Sequence, residues 1–212
     1  MDIVFVDNHI LVVIKPAGLP TQPSVDSTDS LETEAKAWIK EKYNKPGDVY
    51  LHAVHRLDKP VSGLVLFART SKALSRLNAS MRDKEFKKTY TALVEGQIKQ
   101  SEGTLQHFLI HGDHKALLGR KDNPEAKLCR LHFKVLKRSP KATLVEIDLE
   151  TGRYHQIRAQ FAFEGHPVVG DTKYGASPTS FGKIALHQGE LSFPHPVSKE
   201  LKTFTCLSSL SL

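Results

Sequence analysis

Apolar residues along this chain fall into blocks of strand length, many alternating with polar ones, and a few stretches carry a helical period instead. Residues 3–6 and 10–14 are β-branched apolar runs around Asp7-Asn8-His9, a turn signature, so an antiparallel hairpin is predicted to open the fold. Lys15-Pro16-Ala17-Gly18-Leu19-Pro20 then leaves the sheet as an irregular loop. Asp29 and Ser30 can cap a helix whose apolar face is Leu31, Ala35, Trp38, Ile39 and Tyr43, with Glu32 three residues after Asp29 and Trp38 read as core. Leu64-Val65-Leu66-Phe67-Ala68 is continuously apolar, as in a strand buried on both faces.

Thr70-Ser71 caps a further helix with Leu74, Leu77 and Met81 inward and Arg76 and Arg82 outward. Residues 82–88 are charge-rich, either a solvated loop or a phosphate-contacting lip, and residues 89–94 alternate as a strand ended by Gly96. Residues 112–127 are polar, carry Lys115, Arg120, Lys121 and Lys127, and read as a loop able to wrap a nucleic acid. Leu131, Phe133 and Val135, then Val145, Ile147 and Leu149, alternate with polar residues on either side of the basic loop 137–141, predicting a second hairpin. Residues 184–186 and 191–193 read as short runs around His187-Gln188-Gly189-Glu190, and residues 201–207 as a closing strand. The pattern predicts an α+β domain with nine to eleven strands in a mainly antiparallel or mixed sheet and three or four helices. No internal repeat or linker divides it, so residues 1–212 are expected to form a single domain.

Composition narrows the partners. The chain has 212 residues, 40% hydrophobic and 25% charged, with a formal net charge of +7. That balance suits a globular protein with a polyanionic partner, because Lys and Arg that neutralise phosphates release counterions. Nucleic acid fits better than membrane: no run approaches the roughly 20 apolar residues of a spanning helix, and no basic segment leads into an apolar core at the N-terminus. A cytoplasmic location follows. Cys129 and Cys206 form no Cys-x-x-Cys motif and are expected as small buried hydrophobes rather than disulfide or zinc partners. His107, His111 and His114 have metal-compatible spacing without a supporting ligand pattern, so no metal is expected.

Two stretches carry candidate chemistry. In His55-Arg56-Leu57-Asp58-Lys59-Pro60, Pro60 stops regular structure and places Asp58 in a turn, between two cations that favour its ionised form. By itself this is either a nucleophile or base at the lip of a sheet, or ordinary Asp turn chemistry. In residues 151–175, Tyr154, Ile157 and Phe161 recur at helical spacing, with His155 and Arg158 on another face and a stop at Gly165-His166-Pro167. Arg158 there either reaches an anion or is a solvated helix residue; His155 is open to the same choice.

Taken together and in this order, the stretches closely resemble the RluA-like family of pseudouridine synthases. The matching residues are His-Arg-Leu-Asp at 55–58 with Ser62-Gly63 and its apolar strand, and Thr-Gly-Arg-Tyr-His-Gln-Ile-Arg at 151–158. Lys-Pro-Ala-Gly-Leu at 15–19, residues 88–96, residues 165–175 and Phe-Pro-His-Pro at 193–196 also match. The resemblance covers almost the whole chain, and ordered motifs are far more specific than any one of them.

It implies an RNA pseudouridine synthase acting on structured RNA, large-subunit ribosomal or transfer RNA, without a cofactor and as a monomer. No added N-terminal RNA-binding domain is expected, so the catalytic domain would recognise RNA through its own loops. By the resemblance Asp58 is the catalytic carboxylate, Arg158 pairs with it and Tyr90 stacks on the target base. Arg56 fills the space that the uridine leaves. Lys59, Lys87, Lys88, Arg153 and His155 are the expected further RNA contacts. Val61 stands where Thr is usual, Tyr154 where Thr or Ser is usual, and Gln160-Phe161 where His-Leu is common. Two other classes compete: an RNA-binding or chaperone protein on the same fold with Asp58 dispensable, and a two-carboxylate glycoside or nucleoside hydrolase with Glu150 or Asp171 as the second acid.

Overall fold

A computed structural model describes residues 1–25, 27–179 and 183–212. Among them are eleven strands and three α-helices, with the chain divided into two compact units. Met1–Phe86 and Gly189–Cys206 make the first, Lys87–Gln188 and Leu207–Leu212 the second.

In the first unit the predicted hairpin forms from β1 (Asp2–Val6) and β2 (Ile10–Lys15). The Asp7 carboxylate makes the turn, accepting the N–H groups of His9 at 2.7 Å and Ile10 at 2.8 Å. Helix α1 (Leu31–Lys42) starts at Ser30, whose hydroxyl accepts the Thr33 N–H. Its buried side is Leu31, Glu32, Ala35 and Ile39, whereas Trp38 is only half-buried, with the Lys42 ammonium 4.6 Å from its ring centre, and Tyr43 is exposed. Glu32 takes the inner place because Lys36 and Gln22 satisfy its carboxylate.

The short strand β3 (His52–Ala53) and β2 both pair antiparallel with β4 (Ser62–Ala68), placing Lys15 opposite Gly63. Residues 63–68 are all buried, as continuous hydrophobicity predicts. Helix α2 (Ser71–Arg82), capped by Thr70, adds Ala73 and Leu77 to a core of Ile10, Val12, Leu64, Leu66 and Phe193.

In the second unit β5 (Lys87–Glu95), β6 (Glu102–His111), β7 (Ala116–Gly119), β8 (Lys127–Arg138) and β9 (Ala142–Leu149) pair antiparallel in the order β5-β9-β8-β6-β7. The alternating residues of the predicted hairpin face one another: Leu131 opposite Leu149, Phe133 opposite Ile147, Val135 opposite Val145. Strand β7 lies inside the segment expected to be a loop; it is held by pairing with β6 while Leu117 and Leu118 stay exposed, so no period marked it.

Helix α3 (Gln156–Phe163) begins later than the Tyr154–Ile157–Phe161 spacing predicts. The Gln156 side chain folds back, accepting from Thr151 Oγ1 at 2.8 Å and from the Arg153 N–H at 3.1 Å, and keeps residues 151–155 out of the helix. The helix is buried all round from Gln156 to Phe161, not on one stripe. It ends at Gly165, φ 79°, where the N–H groups of Gly165 and His166 reach the carbonyls of Ala162 and Phe161, closing both orphan acceptors. Strand β10 (Leu186–Pro194) is one strand rather than two runs about a turn, because His187 and Gln188 are buried within it. Strand β11 (Leu201–Thr205) pairs antiparallel with its last five residues.

Candidate active site

Residues 54–61 lead from β3 into β4. The Val54 N–H donates to the Leu66 carbonyl at 2.9 Å, and the Val61 N–H closes a turn on the Asp58 carbonyl at 3.0 Å. Val61 is 2% exposed, so the residue that departs from the family pattern serves as core. Gly63, the second residue of β4, has φ 129°, a backbone geometry that favours glycine. Asp58 is half-buried, and Arg56 and Lys59 on either side are exposed.

The 15–21 loop holds this turn from beneath. Thr21 Oγ1 donates to the Leu57 carbonyl at 2.9 Å and accepts the Leu57 N–H at 3.1 Å. The Gly18 N–H reaches the Lys59 carbonyl at 2.8 Å. Lys15 is fully buried, and its ammonium uses its three protons on the carbonyls of Pro16 at 2.9 Å, Leu19 at 2.7 Å and Lys59 at 3.1 Å. Burial pushes its pKa down to about 8, and the negative charge of Asp58 opposes that shift. The ammonium and the carboxylate therefore feel one another. Motif reading carries Lys15 only as one letter of a pattern; its signal is a cation ending a strand whose every neighbour is apolar.

The second unit holds the other candidates. Tyr90 lies on β5 opposite Ile147 and is 7% exposed. Arg158 is 4% exposed, and its guanidinium clasps Asp171 through Nε–Oδ2 at 2.6 Å and Nη2–Oδ1 at 2.8 Å, with the Tyr174 ring 5.3 Å away. Asp171 itself is 1% exposed, so a carboxylate weighed as the second acid of a hydrolase is enclosed and bonded to an arginine. His155, φ 52°, precedes α3 in a left-handed conformation, buried, with Nδ1 3.0 Å from the Tyr174 hydroxyl. Burial pushes the Tyr174 phenol up to about 12, so it stays protonated. Neither His155 nor Arg158 is the solvated surface residue that periodicity alone allows.

Among the expected RNA contacts, Arg56, Lys59, Lys87 and Arg153 are exposed. Lys88 is half-buried, and burial lowers its pKa. A Cβ on Gly152 would sit 3.1 Å from its ammonium, so glycine leaves room for Lys88 against the Thr151-Gly152-Arg153 turn. The structure thus joins Arg56, Asp58 and Lys59 with Lys15 in one loop pair. It joins His155 and Arg158 with Asp171 and Tyr174 in a second cluster, and Lys88 with the turn before α3. A half-buried carboxylate near an ammonium and between exposed cations can attack or deprotonate an anionic ligand. Among the described residues no three His, Cys, Asp or Glu side chains stand together as metal ligands. No described helix is long and apolar enough to cross a membrane.

The sequence model of the family described as RNA pseudouridylate synthase matches residues 9–163. The RNA pseudouridine synthase YhcT of Bacillus subtilis (strain 168), itself termed uncharacterized, is 36% identical over 204 residues, 95% of this chain and 66% of its own length. The dual-specificity RNA pseudouridine synthase RluA of Haemophilus influenzae is 32% identical over 211 residues, which are 98% of this chain and 93% of that protein. In structure, human RNA pseudouridylate synthase domain containing 4 superposes with a TM-score of 0.81 at 21% identity, over 97% of this chain and 88% of that one, and shares the fold.

Proposed function

This chain belongs to the family of RNA pseudouridylate synthases, and from that membership we propose that it converts uridine to pseudouridine in structured RNA, large-subunit ribosomal or transfer RNA. Residues 1–212 act as one catalytic domain, in the cytoplasm, as a monomer and without an obligate protein partner. The reaction breaks the N1–C1′ bond, turns the uracil and rejoins it through C5, with no redox change and no net hydrolysis. What it needs from the protein is a carboxylate and a pocket that keeps water from the intermediate.

Asp58 supplies that carboxylate, attacking the nucleoside or removing the proton from C5. The observation that carries this assignment is the loop itself. Asp58 sits half-buried on a turn whose neighbours Leu57 and Lys59 are fixed by Thr21, Gly18 and Lys15, the preorganisation that a reacting group requires. Arg158 orients the acid, Tyr90 stacks on the target base, and Arg56 occupies the gap left by the flipped nucleotide. Lys59, Lys87, Lys88, Arg153 and His155 contact the RNA, chiefly its phosphates.

The test is direct. Purified protein incubated with transcribed ribosomal or transfer RNA in the presence of EDTA forms pseudouridine detectable by mass spectrometry of the digested RNA, and Asp58→Asn abolishes it. Equal turnover by Asp58→Asn removes Asp58 from the role. RNA binding by the wild type with no pseudouridine on any transcript favours the non-catalytic alternative.

A further inference from the structure

The turn before α3 ends in two consecutive rings packed face to face: Tyr154 and His155 have centroids 3.9 Å apart and planes 19° apart. His111, the last residue of β6, stacks on Tyr154 at 4.2 Å and 21°. Two rings so near one centroid and almost parallel to it cannot share a face, so Tyr154 is sandwiched in a three-ring ladder. Tyr174 closes the inner end, edge-on to His155 at 5.7 Å and 76°.

Burial falls along the ladder. His155 is buried, Tyr154 half-buried and His111 exposed. The ladder is also braced. His111 pairs with Ala116 across β6 and β7, and the Ala116 N–H donates to the Tyr174 hydroxyl at 2.7 Å. Tyr154 and Tyr174 pack against Leu109, Ala116, Cys129 and Ala159. The residues beside these in sequence, Lys115, Arg153 and Lys173, are exposed cations, and Asp113 is the acid of the same turn.

Aromatic rings pre-stacked toward the surface, with exposed cations next to them along the chain, match a nucleobase with its flanking phosphates. Every base offers a π-face, while the bases of a duplex are already stacked. We propose that the His111–Tyr154–His155 ladder is a stacking platform for one unpaired base of the RNA, other than the uridine that reacts, with Lys115, Arg153 and Lys173 holding the adjacent phosphates. The proposal rests on the RNA reading above and adds a determinant of substrate choice to it. Neither imidazole nor phenol takes part in bond making.

The experiment uses a short oligouridylate carrying one 2-aminopurine, with a blunt RNA duplex of equal length as the comparison. Wild-type protein should bind the oligomer and quench the 2-aminopurine. His111→Ala and Tyr154→Thr should each weaken oligomer binding about tenfold, the scale of one lost base–aromatic stack, and lose the quench while duplex binding holds. Tyr154→Phe should keep both signals. His111 is exposed, so its variant tests the ladder even if Tyr154→Thr unfolds. Unchanged oligomer affinity and quench in His111→Ala, equal losses on oligomer and duplex, or a wild type that ignores the oligomer would each overturn the platform. Pseudouridine formation on total RNA by the same wild-type preparation separates the two readings: product with unaffected variants retires the platform alone, and quench without product retires the catalytic reading.

Discussion

Replacing Lys15 with methionine keeps the length of a fully buried side chain and deletes its charge. Three carbonyls, of Pro16, Leu19 and Lys59, lose a charged donor at 2.7–3.1 Å. Each such bond is worth ~1.5–3 kcal/mol. Against that sum stands relief from burying an ammonium, itself several kcal/mol, which leaves a net loss of ~3 kcal/mol. In a chain of this size that corresponds to a melting temperature lower by about 6–12 °C. Turnover in the folded variant should fall much less, by under about tenfold, because Thr21 still brackets Leu57 and the Gly18 N–H still holds Lys59.

The same residue gives a pH signature. Its folded pKa, pushed down to about 8 by burial, lies below the ordinary value of 10.5, so between those limits the unfolded chain holds the extra proton. Stability owed to Lys15 therefore rises with pH through that window, and the wild type gains on Lys15→Met as pH climbs. Melting followed by circular dichroism across that range, with single-turnover kinetics at low temperature, checks both halves. A variant melting within about 2 °C of wild type would show that the clamp carries no stability. Turnover lost in a variant that melts normally would mean that Lys15 acts on the reaction and not on the loop.

Both cysteine thiols are pushed up to about 11, chiefly by burial. In native protein at pH 8 they should therefore react with a thiol reagent roughly a hundredfold more slowly than a free cysteine; rapid labelling of either would contradict this. Gly170→Ala should cost ~3 kcal/mol in urea denaturation, since a Cβ there would meet the Lys183 carbonyl at 2.4 Å with φ at 80°. Gly165→Ala, with φ 79° and nothing within 4 Å, should lose only the ~1 kcal/mol of left-handed backbone, and equal losses at the two sites would refute the difference. Asp171→Ala, which takes the bidentate partner from a buried Arg158, should destabilise by ~3 kcal/mol, and an unshifted urea midpoint would show the pair to be without structural weight.

What could be read in the sequence was whatever repeats with a short period or sits at a cap. The alternation of Leu131, Phe133 and Val135 against Val145, Ile147 and Leu149 determines both strand and register, since a slip of one would turn the apolar set outward. Ser30 and Thr70 mark helix starts by the N–H groups their own hydroxyls accept, and Gly165 marks a helix end by the left-handed backbone that glycine permits. The start of α3 was out of reach because it depends on one glutamine side chain reaching back to Thr151 and Arg153. Strand β7 was hidden because an edge strand paired on one side needs no alternation.

The larger gap lies with polar residues in the interior, which hydropathy assigns to the surface. Lys15 and Thr21 are buried, and both bind the loop of Asp58. His155, Gln156, Arg158 and Asp171 are buried around the second motif, where Gln156 sets the turn and Asp171 clasps Arg158. The motifs name Asp58 and Arg158, but the groups that hold each in place come from residues tens of positions away or across a turn. A buried polar side chain is tolerated only with its partners in position, so each of these residues constrains the geometry of its neighbours more tightly than an apolar residue of equal size would. That is why they gather beside the two motif loops: directional bonds to Leu57, Lys59 and Asp171 fix those loops in a way that packing alone does not.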